Sequence, residues 1–92
     1  MTITIYSKPN CVFCDKAKSM VKNLGFEYEE KMFGKDFNTP DELYEAVGKQ
    51  VRTMPQIIID DKHIGGYNEL VEHFADKKLV NFKGEKINAD GK

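Results

Sequence analysis

The stretch TITIYSKPNCVFCDKAKSMVKNLG, residues 2–25, decides the fold. Ile3 and Ile5 alternate with Thr2, Thr4 and Tyr6, the period of a strand with one buried face, so a strand is expected over 2–7. After Lys8-Pro9-Asn10 the period changes. Phe13, Ala17, Met20, Val21 and Leu24 share one face of a helix expected over about 12–24, and Gly25 stands where a helix end favours positive φ. Phe13 is read as the first residue of this buried stripe. The junction between strand and helix carries Cys11 and Cys14.

Downstream, Phe26 and Tyr28 alternate with Glu27 and Glu29, giving a second strand that the helix joins to the first by a parallel crossover. Residues 31–38 read as loop. Thr39-Pro40-Asp41-Glu42 supplies an N-cap, a proline at the first helical position and a glutamate three residues after the cap, for a short helix ending near Gly48. The β-branched run Gln56-Ile57-Ile58-Ile59-Asp60 suits a central strand covered on both faces. Asp60-Asp61-Lys62 then turns the chain into a short strand around His63-Ile64. Tyr67, Leu70, Val71 and Phe74 mark a third amphipathic helix.

The expected fold class is therefore α/β, with a mixed four-stranded sheet flanked by about three helices over residues 1–78. Residues 79–92 are expected to form a C-terminal tail that is partly ordered at most, with Leu79 to Phe82 available to pack on the domain and Ile87 beyond them.

A chain of 92 residues has room for one domain and buries only roughly 60–65% of its unfolded surface. Fourteen Lys and Arg against fifteen Asp and Glu leave a formal charge of −1, so no global field recruits nucleic acid or an anionic membrane. There is no apolar run of about 20 residues, and the first residues do not read as a secretory signal. The expectation is a cytoplasmic protein.

Two cysteines three apart gain little stability as a cross-link, because the ring they close is short. Their chemistry matters more. A cysteine at a helix start faces free backbone amides and the positive end of the helix dipole. Thiols so placed have pKa values lowered from about 8.5 into the range of roughly 3.5–7.5, and the thiolate is the form that attacks disulfides. Cys11 is thus read as nucleophile and Cys14, one turn inside, as resolving thiol. A βαβ setting is what distinguishes a redox pair from a chance pair. A zinc site would need His63 and His73 as further ligands, and their spacing fits no compact set. Two inert buried cysteines stay open as an alternative.

The Cys11–Cys14 motif, Thr53-Met54-Pro55 and Ile64-Gly65-Gly66 occur in the order and approximate spacing of glutaredoxins, and residues 1 to about 78 resemble that family. Thr53-Met54-Pro55-Gln56 and His63-Ile64-Gly65-Gly66-Tyr67 look especially like phage-encoded glutaredoxins. The resemblance implies a thioredoxin-like fold with a cis bond before Pro55. It implies a groove in which the Met54 backbone pairs with glutathione, flanked by Thr53, while unobstructed amides at Gly65 and Gly66 receive the γ-glutamyl carboxylate. Tyr67 extends that site, and Asn68 and Glu69 take the ammonium or carboxylate of the same group. Lys8 and Arg52 would meet the glycyl carboxylate, and Tyr6 and Phe13 are alternative aromatic walls.

Glutathione is then the reducing co-substrate and no metal is expected. Disulfide-containing proteins are the partners, with ribonucleotide reductase carried by the phage-like resemblance, and the molecule is expected to be a monomer. Val12-Phe13 departs from the Pro-Tyr found between the cysteines of many relatives, so a potential near the family range of about −200 to −230 mV does not transfer. Two rivals stand beside this reading. One is a carrier of a glutathione-ligated [2Fe–2S] cluster bridged between subunits. The other is a thioredoxin-like enzyme served by a flavoprotein reductase.

Overall fold

A computed structural model of the chain describes residues 2–77 and residue 80. The elements in order are β1 (Ile3–Ser7), α1 (Val12–Asn23), β2 (Glu29–Met32), α2 (Pro40–Val47), β3 (Gln56–Ile59), β4 (Lys62–Gly65) and α3 (Tyr67–Asp76). They form one mixed sheet in the order β2-β1-β3-β4. β1 pairs with β2 in parallel, as the crossover through α1 requires, and β3 is antiparallel to both β1 and β4. The fold class is that expected from the sequence.

Alternation along the strands divides the sheet into two unequal faces. Ile3 and Ile5 of β1 lie opposite Ile59 and Ile57 of β3, and all four are buried against α1 and α3 through Ala17, Met20, Val21, Leu70 and Phe74. Each large apolar side chain so buried stabilises the fold by about 1.5–3 kcal/mol relative to an exposed one. The opposite face carries Tyr6 and Ile58 against a smaller cluster of Phe37, Leu43 and Val47 under α2. Val80 is also buried in the larger core. Leu79, Phe82 and Ile87, which the sequence singled out in the tail, lie outside the described residues.

The helix ends follow their local chemistry. Thr39 accepts the N–H of Glu42, and the Glu42 carboxylate accepts that of Thr39, so α2 begins with the expected capping box and Pro40 in its first turn. Gly48 ends it with φ +86. Asp60 and Asp61 take φ +51 and +68 in the tight β3–β4 turn, a conformation that Asp tolerates better than most residues.

Three expectations need correcting. The second strand lies at Glu29–Met32 rather than Phe26–Glu29. Gly25 and Phe26 are still hydrogen-bonded back to Lys22 and Val21 at the end of α1, and Phe26 stacks on Phe74 at 5.8 Å, so this segment serves the core before it reaches the ladder. Residues 31–38 are consequently not all loop: Lys31 and Met32 belong to β2, and Phe33 forms a bridge with Phe37. Phe13 does not enter the core. It is 52% exposed, and Cys14 heads the buried stripe of α1 in its place.

Candidate redox site

Cys11 occupies the N-cap of α1, with extended backbone and its carbonyl accepting the Asp15 N–H at 3.1 Å. Its Sγ accepts the Cys14 N–H at 3.2 Å, so one of the orphan amides of the helix start is directed at the sulfur. Cys11 and Cys14 form a disulfide with Cα atoms 5.2 Å apart. Cys14 is fully buried, whereas Cys11 keeps 8% of its surface. Only Cys11 presents any area to a reactant.

Opposite the pair, the Met54–Pro55 bond is cis, as the resemblance implies, and the Met54 carbonyl stands 3.8 Å from Cys11 Sγ. Two clefts diverge from this point. The first, about 180 Å³, is walled by Phe13 and Tyr67 and floored by Thr53, Met54, Pro55, Gly66, Asn68 and Glu69. Phe13 packs on Tyr67 with ring centroids 5.6 Å apart, and Lys16 Nζ lies 5.1 Å from the Phe13 centroid. The second cleft, about 280 Å³, carries Lys8 and Arg52 beside Thr53 and Met54, with Phe33, Phe37, Leu43, Tyr44 and Val51 around them. Of the residues expected at the glutathione groove, all but Gly65 line one cleft or the other, and the two clefts share Thr53 and Met54. Tyr6 is not a wall of either cleft; it packs edge-on against Phe37 at 5.7 Å.

The glycine pair departs from expectation at both residues: Gly65 ends β4 opposite Ile57 and lines neither cleft. Gly66 N–H is not open to a ligand, because it donates to Glu69 Oε1 at 2.7 Å. The N-cap residue of α3 provides no capping side chain, which leaves the amides of Tyr67, Asn68 and Glu69 without a partner among the described residues. Gly65 has φ +128, and a Cβ there would lie 2.7 Å from Glu69 Cγ. A Cβ on Gly66 would lie 3.4 Å from the Pro55 carbonyl oxygen. The two glycines thus admit the Glu69 side chain and the Pro55 backbone at close range.

Two residues escaped the sequence reading. Gln56 is buried although it opens an apolar strand, and His63, weighed there only as a zinc ligand, bonds to it. Burial, followed by the charge of Lys49, holds the His63 pKa below its ordinary value against the opposing pull of Glu69. A polar side chain at the head of an isoleucine run was the available signal.

The glutaredoxin family model matches residues 3–64. A glutaredoxin of Haemophilus influenzae is 37% identical over 71 residues, covering 72% of this chain and 82% of its own. The chain belongs to the glutaredoxin family. The hybrid peroxiredoxin hyPrx5 of the same bacterium is 39% identical over 74 residues, 80% of this glutaredoxin, which spans 30% of that longer protein. Among solved structures, the buckwheat glutaredoxin–glutathione complex superposes with a TM-score of 0.68 at 29% identity, covering 87% of this chain and 74% of that one. The described architecture is the thioredoxin-like fold of such glutaredoxin structures. With Cys11 and Cys14 at disulfide distance in this frame, the glutaredoxin is a thiol–disulfide oxidoreductase.

Proposed function

We propose that this glutaredoxin draws its electrons from glutathione and reduces both protein disulfides and glutathione mixed disulfides, with Cys11 as nucleophile and Cys14 as resolving thiol. The observation that carries the proposal is the cleft that begins at Met54, 3.8 Å from Cys11 Sγ, and runs to the start of α3. Along it an extended peptide would pair with the Met54 backbone, which forms no backbone hydrogen bond among the described residues. The open amides of Tyr67 and Asn68 would receive the γ-glutamyl carboxylate at the positive end of α3. Asn68 and Glu69 would take its ammonium, and Lys8 and Arg52, in the second cleft, the glycyl carboxylate.

In the reduced protein the Cys11 thiolate attacks one sulfur of a protein disulfide. A Cys11–protein disulfide forms and the other protein sulfur leaves as thiolate. Cys14 attacks Cys11 Sγ, releasing the second protein thiolate and closing the Cys11–Cys14 disulfide. Two glutathione molecules then restore both thiols and leave as glutathione disulfide, balancing the two electrons. For a glutathione mixed disulfide, Cys11 alone suffices: it takes the glutathionyl group, and a second glutathione removes it.

The reading extends to a monomer working in the cytoplasm. Ribonucleotide reductase is its candidate protein substrate, supported by the likeness of Thr53–Gln56 and His63–Tyr67 to phage-encoded glutaredoxins. Reduction of a glutathionylated peptide, coupled to glutathione and glutathione reductase, tests the proposal in wild type, Cys11→Ser and Cys14→Ser. Cys11→Ser is expected to be inactive and Cys14→Ser to keep activity on the mixed disulfide while losing it on protein disulfides. Full activity of Cys11→Ser ends the proposal. Activity sustained by a flavoprotein reductase without glutathione points to the thioredoxin-like rival, and visible colour after anaerobic purification points to the cluster carrier.

A further inference from the structure

Between Lys49 and Pro55 the chain forms no backbone–backbone hydrogen bond among the described residues. Yet this segment carries Thr53 and Met54, the edge that both clefts share. Something other than secondary structure must fix it. Val51 and Met54 pack on the Phe37–Leu43–Val47 cluster, and the polar hold on the backbone comes from the Gln56 side chain: it is 3% exposed, and its Nε2 donates to the Thr53 carbonyl oxygen at 2.7 Å and to Thr53 Oγ1 at 3.2 Å.

The orientation of Gln56 follows from its partners. A carbonyl oxygen only accepts, so the amide nitrogen must face Thr53 and Oε1 must face His63 Nε2, which lies 2.7 Å away. His63 therefore holds a proton on Nε2. That donor persists whether the ring is neutral or charged, because a second proton would add at Nδ1. His63 sits in β4 opposite Ile58, across a register shift between Ile57 and Ile58. The chain of bonds thus runs from the edge strand, through the first residue of β3, to the Thr53 carbonyl.

We propose that His63 and Gln56 are positioning residues: they hold the Thr53–Met54 backbone in the conformation that pairs with the substrate peptide. The inference rests on the proposed pairing at Met54. Anchored at the Thr53 carbonyl, the 53–54 peptide is ordered before binding, and the ordering cost is not charged to the encounter. Without the anchor that peptide turns toward water, and each binding event must first order it. Neither residue touches the reacting sulfurs. The loss should therefore appear in KM and spare the chemical step.

Gln56→Met, which keeps side-chain bulk but makes no hydrogen bond, and His63→Phe are compared with wild type in three measurements. These are steady-state reduction of a glutathionylated peptide, steady-state reduction of a peptide disulfide free of glutathione, and the rate of Cys11 alkylation by iodoacetamide. Both variants should raise KM about tenfold, equivalent to ~1.4 kcal/mol of binding, with kcat and alkylation rate within about twofold of wild type. His63→Gln, which retains an N–H donor for Gln56, should recover most of the loss. Unchanged KM in Gln56→Met overturns the proposal. So does a joint fall of kcat, alkylation rate and melting temperature, which would make the pair merely structural. Should wild type fail to distinguish the glutathionylated peptide, the glutathione reading fails alone, and KM for the other peptide still decides the role of Gln56.

Discussion

Gly65 and Gly66 look equivalent in sequence and are not equivalent in space. At Gly65 any side chain meets both a positive φ and the Glu69 side chain, whereas at Gly66 the φ is −94 and the nearest contacts exceed 3.2 Å. Gly65→Ala should therefore destabilise the protein by about 1–3 kcal/mol, a fall of several degrees or more in melting temperature for a domain of this size. Gly66→Ala should cost distinctly less, and thermal denaturation of the two variants side by side decides the point. Phe13 offers a second contrast of the same kind. Half-exposed but packed on Tyr67, it can be cut to alanine at a cost of about 1 kcal/mol, while Phe74→Ala, at a fully buried position, should cost about 3–5 kcal/mol. If Phe13→Ala unfolds at the temperature of Phe74→Ala, the placement of Phe13 outside the core is wrong. Sequence periodicity did not see this difference, because Phe13 and Cys14 stand four and three residues before Ala17, and both spacings flank the same stripe. The small Cys14 filled the place that hydrophobicity assigned to Phe13.

At the scale of elements, α1 and β1 both reach β2 at Glu30: Lys18 of α1 donates to Glu30 Oε2 at 2.7 Å, and Ser7 Oγ of β1 donates to the same oxygen at 2.7 Å. These bonds hold the Glu30 pKa below its ordinary value and, chiefly through Glu30, that of Lys18 above it. The unfolded chain binds a proton at Glu30 more readily than the folded one, so the tie is complete above the ordinary glutamate range and is lost as pH falls through and below it. Lys18 acts in the other direction: its share is complete below the ordinary lysine range and fades as pH rises beyond it. Glu30→Gln should flatten the acid side of a denaturation profile measured from pH 6 down to pH 3, and an unchanged slope would remove Glu30 as its cause. Most elements were legible because each announces itself locally: the Thr39–Glu42 box for α2, the isoleucine run for β3, the spacing of Leu70, Val71 and Phe74 for α3. β2 was displaced by three residues for a tertiary reason. Alternation in Phe26 and Tyr28 looks like a strand, but those side chains fill the core from a segment still bonded to the end of α1. The Gln56–His63 bond was illegible for a related cause, since it joins residues brought together by a β3–β4 register that includes an irregularity.

The molecule as a whole carries two histidines, and burial is the leading cause holding both pKa values below the ordinary histidine range. Each is easier to protonate in the unfolded chain. Their contribution to stability is therefore complete above that range and is lost as pH falls through it. The melting temperature should be lower at pH 5.5 than at pH 7.5, and the double variant His63→Gln/His73→Gln should narrow the gap. Equal melting temperatures of wild type at the two values would refute the assignment.

The unequal halves of the sheet have a dynamic consequence. On one face α1 and α3 close over the large isoleucine-rich core; on the other, α2 is held by Phe37, Leu43 and Val47 with a few half-buried neighbours. Local opening free energy scales with the apolar contact that must be broken, so α2 should detach in excursions far smaller than global unfolding. Amide hydrogen exchange should find its protons released first among the helices, with β1, β3 and α1 retaining theirs longest; uniform protection across the three helices would contradict this. Because α2 contributes Leu43 and Tyr44 to the cleft beside Lys8 and Arg52, such excursions would reshape one side of the Met54 edge. The N-cap that holds Cys11 belongs to the other face and would stay closed. A disulfide protein of awkward shape could then be admitted by a part of the fold that yields, while the sulfur it must reach stays still.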